Sequence, residues 1–205
     1  MSGPRHGSVA LALGALLLSG ASTAGLTVFR GLIAHHPPPP RPVYGTLPDF
    51  ALVDDQHRPI SRSTLQGSVW IADFIFARCP GQCPFLSAQM AALQRFFRDA
   101  PHVRLVSFSV EPSVDTPEVL AAYAARYRAP GGRWQFVTGE PSAMTTLIQD
   151  GFRLAVGLEG SAKEPITHSL RLVLVDPRGA IRGYYDAADP RAMARLREEA
   201  THLAR

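Results

Sequence analysis

In Asp73-Phe74-Ile75-Phe76-Ala77-Arg78-Cys79-Pro80-Gly81-Gln82-Cys83-Pro84 an apolar run ends and a helical pattern begins. The stretch holds both cysteines of the 205-residue chain. Two soft sulfur donors four positions apart suit either a disulfide or a thiophilic metal. Along one turn their Cα atoms lie about 6 Å apart, a separation that a disulfide tolerates. Spacing alone permits both chemistries and selects neither. At a helix N-terminus a thiolate gains from the helix dipole and from unpaired backbone N–H groups, which lower its pKa.

Val69 to Ala77 has the continuous hydrophobicity of a buried central strand. Phe85 to Phe97 then shows helical spacing, with Leu86, Met90, Leu93 and Phe97 on one face and Pro84 in the first turn. Val103 to Val110 is a second buried strand. Asp115 as N-cap, Pro117 in the first turn and Glu118 at the third helical position predict a helix running to about Arg128. Gln135 to Thr138 is read as a strand, and Ser142 to Asp150 as a helix capped by Ser142. Gly157 to Lys163 is a polar loop. Leu170 to Val175 and Ile181 to Tyr185 flank the turn Asp176-Pro-Arg-Gly179 as a hairpin, and Pro190 to Ala204 forms a last helix. Before the first buried strand, Leu47 to Leu52 is a short strand leading to an Asp54-Asp55 turn, and Ser63 to Gly67 is a short turn or helical piece. The order predicts an α/β domain with a mixed sheet flanked by helices. A Cys pair between a buried strand and a helix is the thioredoxin-like arrangement.

The N-terminal fifth differs. Val9 to Phe29 is uncharged, and 21 helical residues rise about 1.5 Å each, enough for a bilayer's hydrocarbon thickness. Residues 1–34 are read as a transmembrane anchor, with a cleaved signal segment as the competing reading. Residues 35–43 contain Pro37 to Pro40 and Pro42, a polyproline spacer in which His35 and His36 are solvated. Residues 44–205 are the folded domain. The chain is 46% hydrophobic and 19% charged, with a net charge of +4 carried by scattered arginines, Lys163 being the sole lysine. No basic run with interleaved aromatics suggests nucleic acid. Two cysteines cannot make a disulfide framework, so the fold stands on its own core.

Thr167-His168-Ser169 precedes the Leu170 strand. In a thioredoxin-like topology the turn before that strand packs against the Cys loop, which carries an imidazole toward two sulfurs. Thiolates favour Cu(I), and an added imidazole lets such a site hold Cu(II) as well. Asp73, inside an apolar strand, must be paired or protonated and is read as a core acid rather than a tuner of the thiols. Glu111 and Asp115 are explained by a loop and a helix cap.

Taken together, Asp73 to Pro84, Ser109-Val-Glu111-Pro-Ser-Val-Asp115-Thr-Pro117, His168 ahead of a strand and Asp176-Pro-Arg-Gly179 resemble the SCO/SenC family. The resemblance implies a membrane-anchored, thioredoxin-like copper protein on the extracytoplasmic (periplasmic) side. It implies Cys79, Cys83 and His168 as ligands of Cu(I) or Cu(II). It further implies as partners a copper-donor protein and the cytochrome c oxidase subunit that carries the copper A site. Departures from the family's pattern are Gly81 and Gln82 between the cysteines, Glu111 for the first acid and Thr167 before the histidine. A metallochaperone and a thiol–disulfide reductase acting on the client's cysteines would use the same pair, Cys79 and Cys83. His168 separates them, since exchange chemistry does not need it. Peroxiredoxin chemistry expects Thr or Ser three residues before the reactive Cys, where Phe76 stands.

Overall fold

The structure is a computed structural model, and it describes residues 42–128, 133–154 and 170–205. Its strands are β1 (Gly45–Thr46), β2 (Ala51–Asp54), β3 (Pro59–Ser61), β4 (Val69–Ile75), β5 (Val103–Ser109), β6 (Trp134–Thr138), β7 (Arg171–Val175) and β8 (Ala180–Asp186). The helices are α1 (Arg62–Leu65), α2 (Gln82–Phe96), α3 (Pro117–Ala124), α4 (Pro141–Thr146) and α5 (Pro190–Leu203), with a π-helical turn at Leu147–Gly151 after α4. They build one mixed sheet of order β1-β8-β7-β4-β5-β6-β2-β3. β4, β5 and β6 run parallel, β7 pairs antiparallel with β4, and β8 with β7. Every residue of β4 is buried, as its uninterrupted hydrophobicity requires of a central strand.

Alternation along the strands sends side chains to two cores. On one face Ile71 and Ile75 join Leu105, Trp134 and Phe136 under α2, α3 and α5, through Leu86, Met90, Leu120, Tyr123 and Leu196. Both cysteines belong to this layer. On the other face Trp70, Phe74, Val106 and Phe108 pack against Met144, Leu147, Ile148 and Phe152. The parallel pair β4–β5 aligns Asp73 with Ser107 and Ile75 with Ser109, so the C-terminal ends of both strands open on the same edge.

Three helices start on an acceptor followed by proline: Thr116-Pro117, Glu140-Pro141 and Asp189-Pro190. Proline loses nothing at the first helical position, and the preceding oxygen caps a free N–H. The expected cap Asp115 is therefore displaced by Thr116, whose hydroxyl accepts from Val119 N. Likewise Ser142 gives way to Glu140, which accepts from Ala143 N, and the regular helix stops at Thr146 before the π turn. The strand expected at Leu47 to Leu52 forms at Ala51–Asp54 instead. Leu47 is buried one step earlier, its N–H donating to Gly179 O across the sheet. In the β7–β8 turn Gly179 adopts φ +82, and Asp176 Oδ1 accepts from Arg178 N and Ala180 N.

At the far end of α2, the side chain of Arg133 donates to the carbonyls of Phe97, Arg98, Ala100 and Val103 at 2.9–3.2 Å. The expected anchor of residues 1–34, the linker of residues 35–43 as far as residue 41, the loop at Gly157 to Lys163 and His168 lie outside the described residues. Among the described residues no helix is long and apolar enough to cross a membrane.

Candidate metal centre

The chain leaves β4 at Ile75, turns through Phe76 to Gly81, and enters α2 at Gln82. Cys79 N donates to Phe76 O at 3.2 Å, a tight turn compatible with Pro80 and Gly81. Cys83 occupies the first turn of α2, and its N–H points at Cys79 Sγ across 3.4 Å. The turn leading into α2 thus brings the two cysteines together, although Cys79 itself lies outside the helix. They remain thiols rather than a disulfide.

Their environments are unequal. Cys79 is 8% exposed at the rim, while Cys83 is fully enclosed. Burial pushes the Cys83 thiol well above the ordinary range, against a lowering hydrogen bond from the Phe76 backbone, and the neighbouring Cys79 raises it further. The helix N-terminus does not win at Cys83, contrary to the dipole argument. Desolvation of the charged form outweighs a partial charge within the first turn.

Beneath the pair the sheet face carries polar groups set in its apolar layer. Ser107 donates to Asp73 Oδ1 through a short hydrogen bond, and Trp134 Nε1 donates to Ser107 Oγ at 2.8 Å. Asp73 Oδ2 meets no hydrogen-bond partner. Burial pushes this carboxyl up to about 7, with the Ser107 hydrogen bond opposing. Asp73 is thus a buried, hydrogen-bonded core acid. On the helical side Ser87 Oγ and Tyr123 OH lie 2.8 Å apart, and burial raises the Tyr123 phenol.

Two acids from the β5–α3 segment reach the Cys loop, and neither is explained by loop or cap. Glu111 pairs with Arg78, Nε to Oε2 at 2.7 Å and Nη2 to Oε1 in a shorter contact. Asp115 is buried and accepts the Ala77 N–H with both oxygens at 3.2 Å. The sequence signal was an acid beside a better-placed cap, Thr116. Among the described residues no cluster of three or more His, Cys, Asp or Glu side chains could hold a metal ion. The described donor set is therefore the two sulfurs, and His168 is not among the described residues.

The SCO1/SenC family profile matches residues 40–201 of this chain. The chain is 31% identical over 142 residues to the SCO1 protein homolog of Bacillus subtilis, covering 68% of this chain and 73% of that protein. It is also 31% identical over 147 residues to a protein of Stutzerimonas stutzeri named for copper binding, covering 69% of each. The structure superposes with a TM-score of 0.70 and 27% identity on BsSco, a member of the Sco family of cytochrome c oxidase assembly proteins in which a disulfide switch was identified. That match covers 80% of this chain and 96% of BsSco. A mixed α/β fold of the Sco thioredoxin-like kind, with a Cys-x3-Cys turn where the central strand meets its helix, thus agrees with sequence similarity along most of the domain, and the chain belongs to the SCO1/SenC family.

Proposed function

We propose that this protein binds copper as cargo through Cys79, Cys83 and His168 and delivers it to the copper A centre of cytochrome c oxidase. The observation that carries the reading is the juxtaposition of two sulfurs on one turn, with Cys79 at the rim and Cys83 enclosed. The donors fit the ion: two soft sulfurs in a largely dry site suit a thiophilic metal, and an imidazole extends the set to Cu(II). Coordination requires both thiols to lose their protons, so the elevated Cys83 thiol makes loading favour alkaline conditions. The Stutzerimonas relative named for copper binding supports the metal, and BsSco's family description supports the client. Residues 1–34 would tether the domain to a membrane with the site on the extracytoplasmic face, and a copper-donor protein would load it.

The test is His168→Ala in the full-length chain. Cu(II) binding and its sulfur-to-copper absorption should disappear while Cys79 and Cys83 still oxidise to a disulfide. Copper uptake equal to wild type would remove His168 from the ligand set.

The unequal exposure of the sulfurs favours a second reading, a thiol–disulfide reductase. The Cys79 thiolate would attack a client disulfide and release one client thiolate. Cys83, once deprotonated, would then attack Cys79 Sγ and release the other. The client is reduced by two electrons and the pair is oxidised. A midpoint potential far more negative than the compartment's thiol poise favours this role.

A further inference from the structure

Asp115 places an enclosed carboxylate where no helix needs it. Thr116 already caps α3, and Asp115's own N–H is satisfied by Glu111 O at 3.0 Å. Its oxygens face two donors instead: the Ala77 N–H, at 3.2 Å from each oxygen, and the Ser109 hydroxyl at 2.6 Å. Ser109 Oγ in turn accepts from Glu111 N at 3.0 Å, locking the same segment onto the end of β5. Ala77 lies two residues before Cys79, just past the end of β4. Between Phe76 and Cys79 the chain has left the sheet ladder, so ladder hydrogen bonds no longer fix it. The segment that follows the neighbouring parallel strand supplies an anchor there. A buried acceptor that satisfies a main-chain N–H restrains position more tightly than a rim ion pair, which solvent screens. Arg78 and Glu111 form that outer pair, with the Arg78 side chain 60% exposed and Glu111 14%.

We propose that Asp115 is a positioning residue for the sulfur pair: by holding the Ala77 main chain from the β5–α3 segment, it fixes where Cys79 sits relative to Cys83. Glu111, acting through Arg78, is the weaker second restraint. The inference rests on the copper reading for its function, though not for its geometry.

The test is Asp115→Asn in the full-length chain, beside Phe108→Ala, which perturbs the opposite face of the sheet. An amide keeps the shape but replaces one of the two acceptor oxygens with an NH2 group, so a single oxygen is left where Ala77 N and Ser109 Oγ had two. Copper affinity by chelator competition should fall about tenfold and the sulfur-to-copper band should shift. Phe108→Ala should leave both unchanged under conditions where it is folded. Wild-type affinity and an unshifted band in Asp115→Asn would overturn the assignment. Should Asp115→Asn fail to fold, Ser109→Ala takes its place, with a smaller loss in the same direction expected and wild-type affinity overturning. If the wild-type chain takes up no copper, the copper reading falls by itself. The positioning role is then judged on the metal-free protein, where Asp115→Asn should change the alkylation rate of Cys79 severalfold. An unchanged rate would overturn it.

Discussion

The two faces of the sheet solve burial differently. Behind β4 and β5 the layer is hydrocarbon. Phe108 meets Phe50, Trp70, Phe74 and Phe152 with ring centroids 5.2–6.3 Å apart, and Phe74 meets Phe152 at 4.9 Å. Under the cysteines the same strands carry Asp73, Ser107 and Ser109, with Trp134 reaching in by its indole nitrogen. Ring packing of the first kind is tolerant and needs no partner atoms. In the second kind an unmet acceptor is costly, and Asp73 Oδ2, left without a donor, belongs to a carboxyl that burial pushes toward its protonated form. The aromatic face packs ring on ring, and the cysteine face sets a few hydrogen-bonded polar groups into its own apolar core.

Phe108→Ala tests the first half of that contrast most severely. With four aromatic neighbours it should lose stability toward the upper end of the roughly 3–5 kcal/mol seen for such truncations, measured by denaturant unfolding. A loss near 1 kcal/mol would mean that the face collapses to fill the gap and is not a packed layer.

Asp73→Asn tests the second half through pH. The wild-type carboxyl titrates at about 7 in the folded protein and near 3.8 as an ordinary aspartate. A folded value above the unfolded one gives a contribution fully present below about pH 4 and lost as pH rises through about 7. Wild type should therefore lose roughly 2–3 kcal/mol from this group between about pH 5 and pH 8, and the variant should not. Parallel stability profiles for the two proteins would show that Asp73 keeps no raised value.

Trp134→Phe gives the smallest effect. It keeps most of the ring and removes the N–H donated to Ser107, which should cost about 1 kcal/mol. A cost as large as that of Phe108→Ala would make shape, not hydrogen bonding, the organising feature of the polar face.

Much of this was legible in the chain. The continuous hydrophobicity of Val69 to Ala77 and the spacing of Leu86, Met90 and Leu93 located β4 and α2, and the Cys pair fell at their junction. The Asp176 turn located the β7–β8 hairpin. What escaped were choices between neighbours of similar chemistry. Asp115 and Thr116 both cap well, and the demand of a distant main-chain N–H decided which one was left to do so. Glu140 prevailed over Ser142 because proline at 141 fixes the first helical position. The depression expected for the thiols neglected the enclosure of Cys83, whose desolvation outweighs what its own helix terminus offers. Asp73's partner Ser107 became visible only once β4 and β5 were in register. His168 rests on the family pattern, lying outside the described residues.

Arg133 bears on where the sulfur pair can give. With one guanidinium spanning four carbonyls just past the end of α2, that rod is moored at its tail. If copper is handed on as proposed, give on the sulfur side would come from the few residues between Ile75 and Gln82. The release rate should then respond to changes in that short segment far more than to changes along the rod.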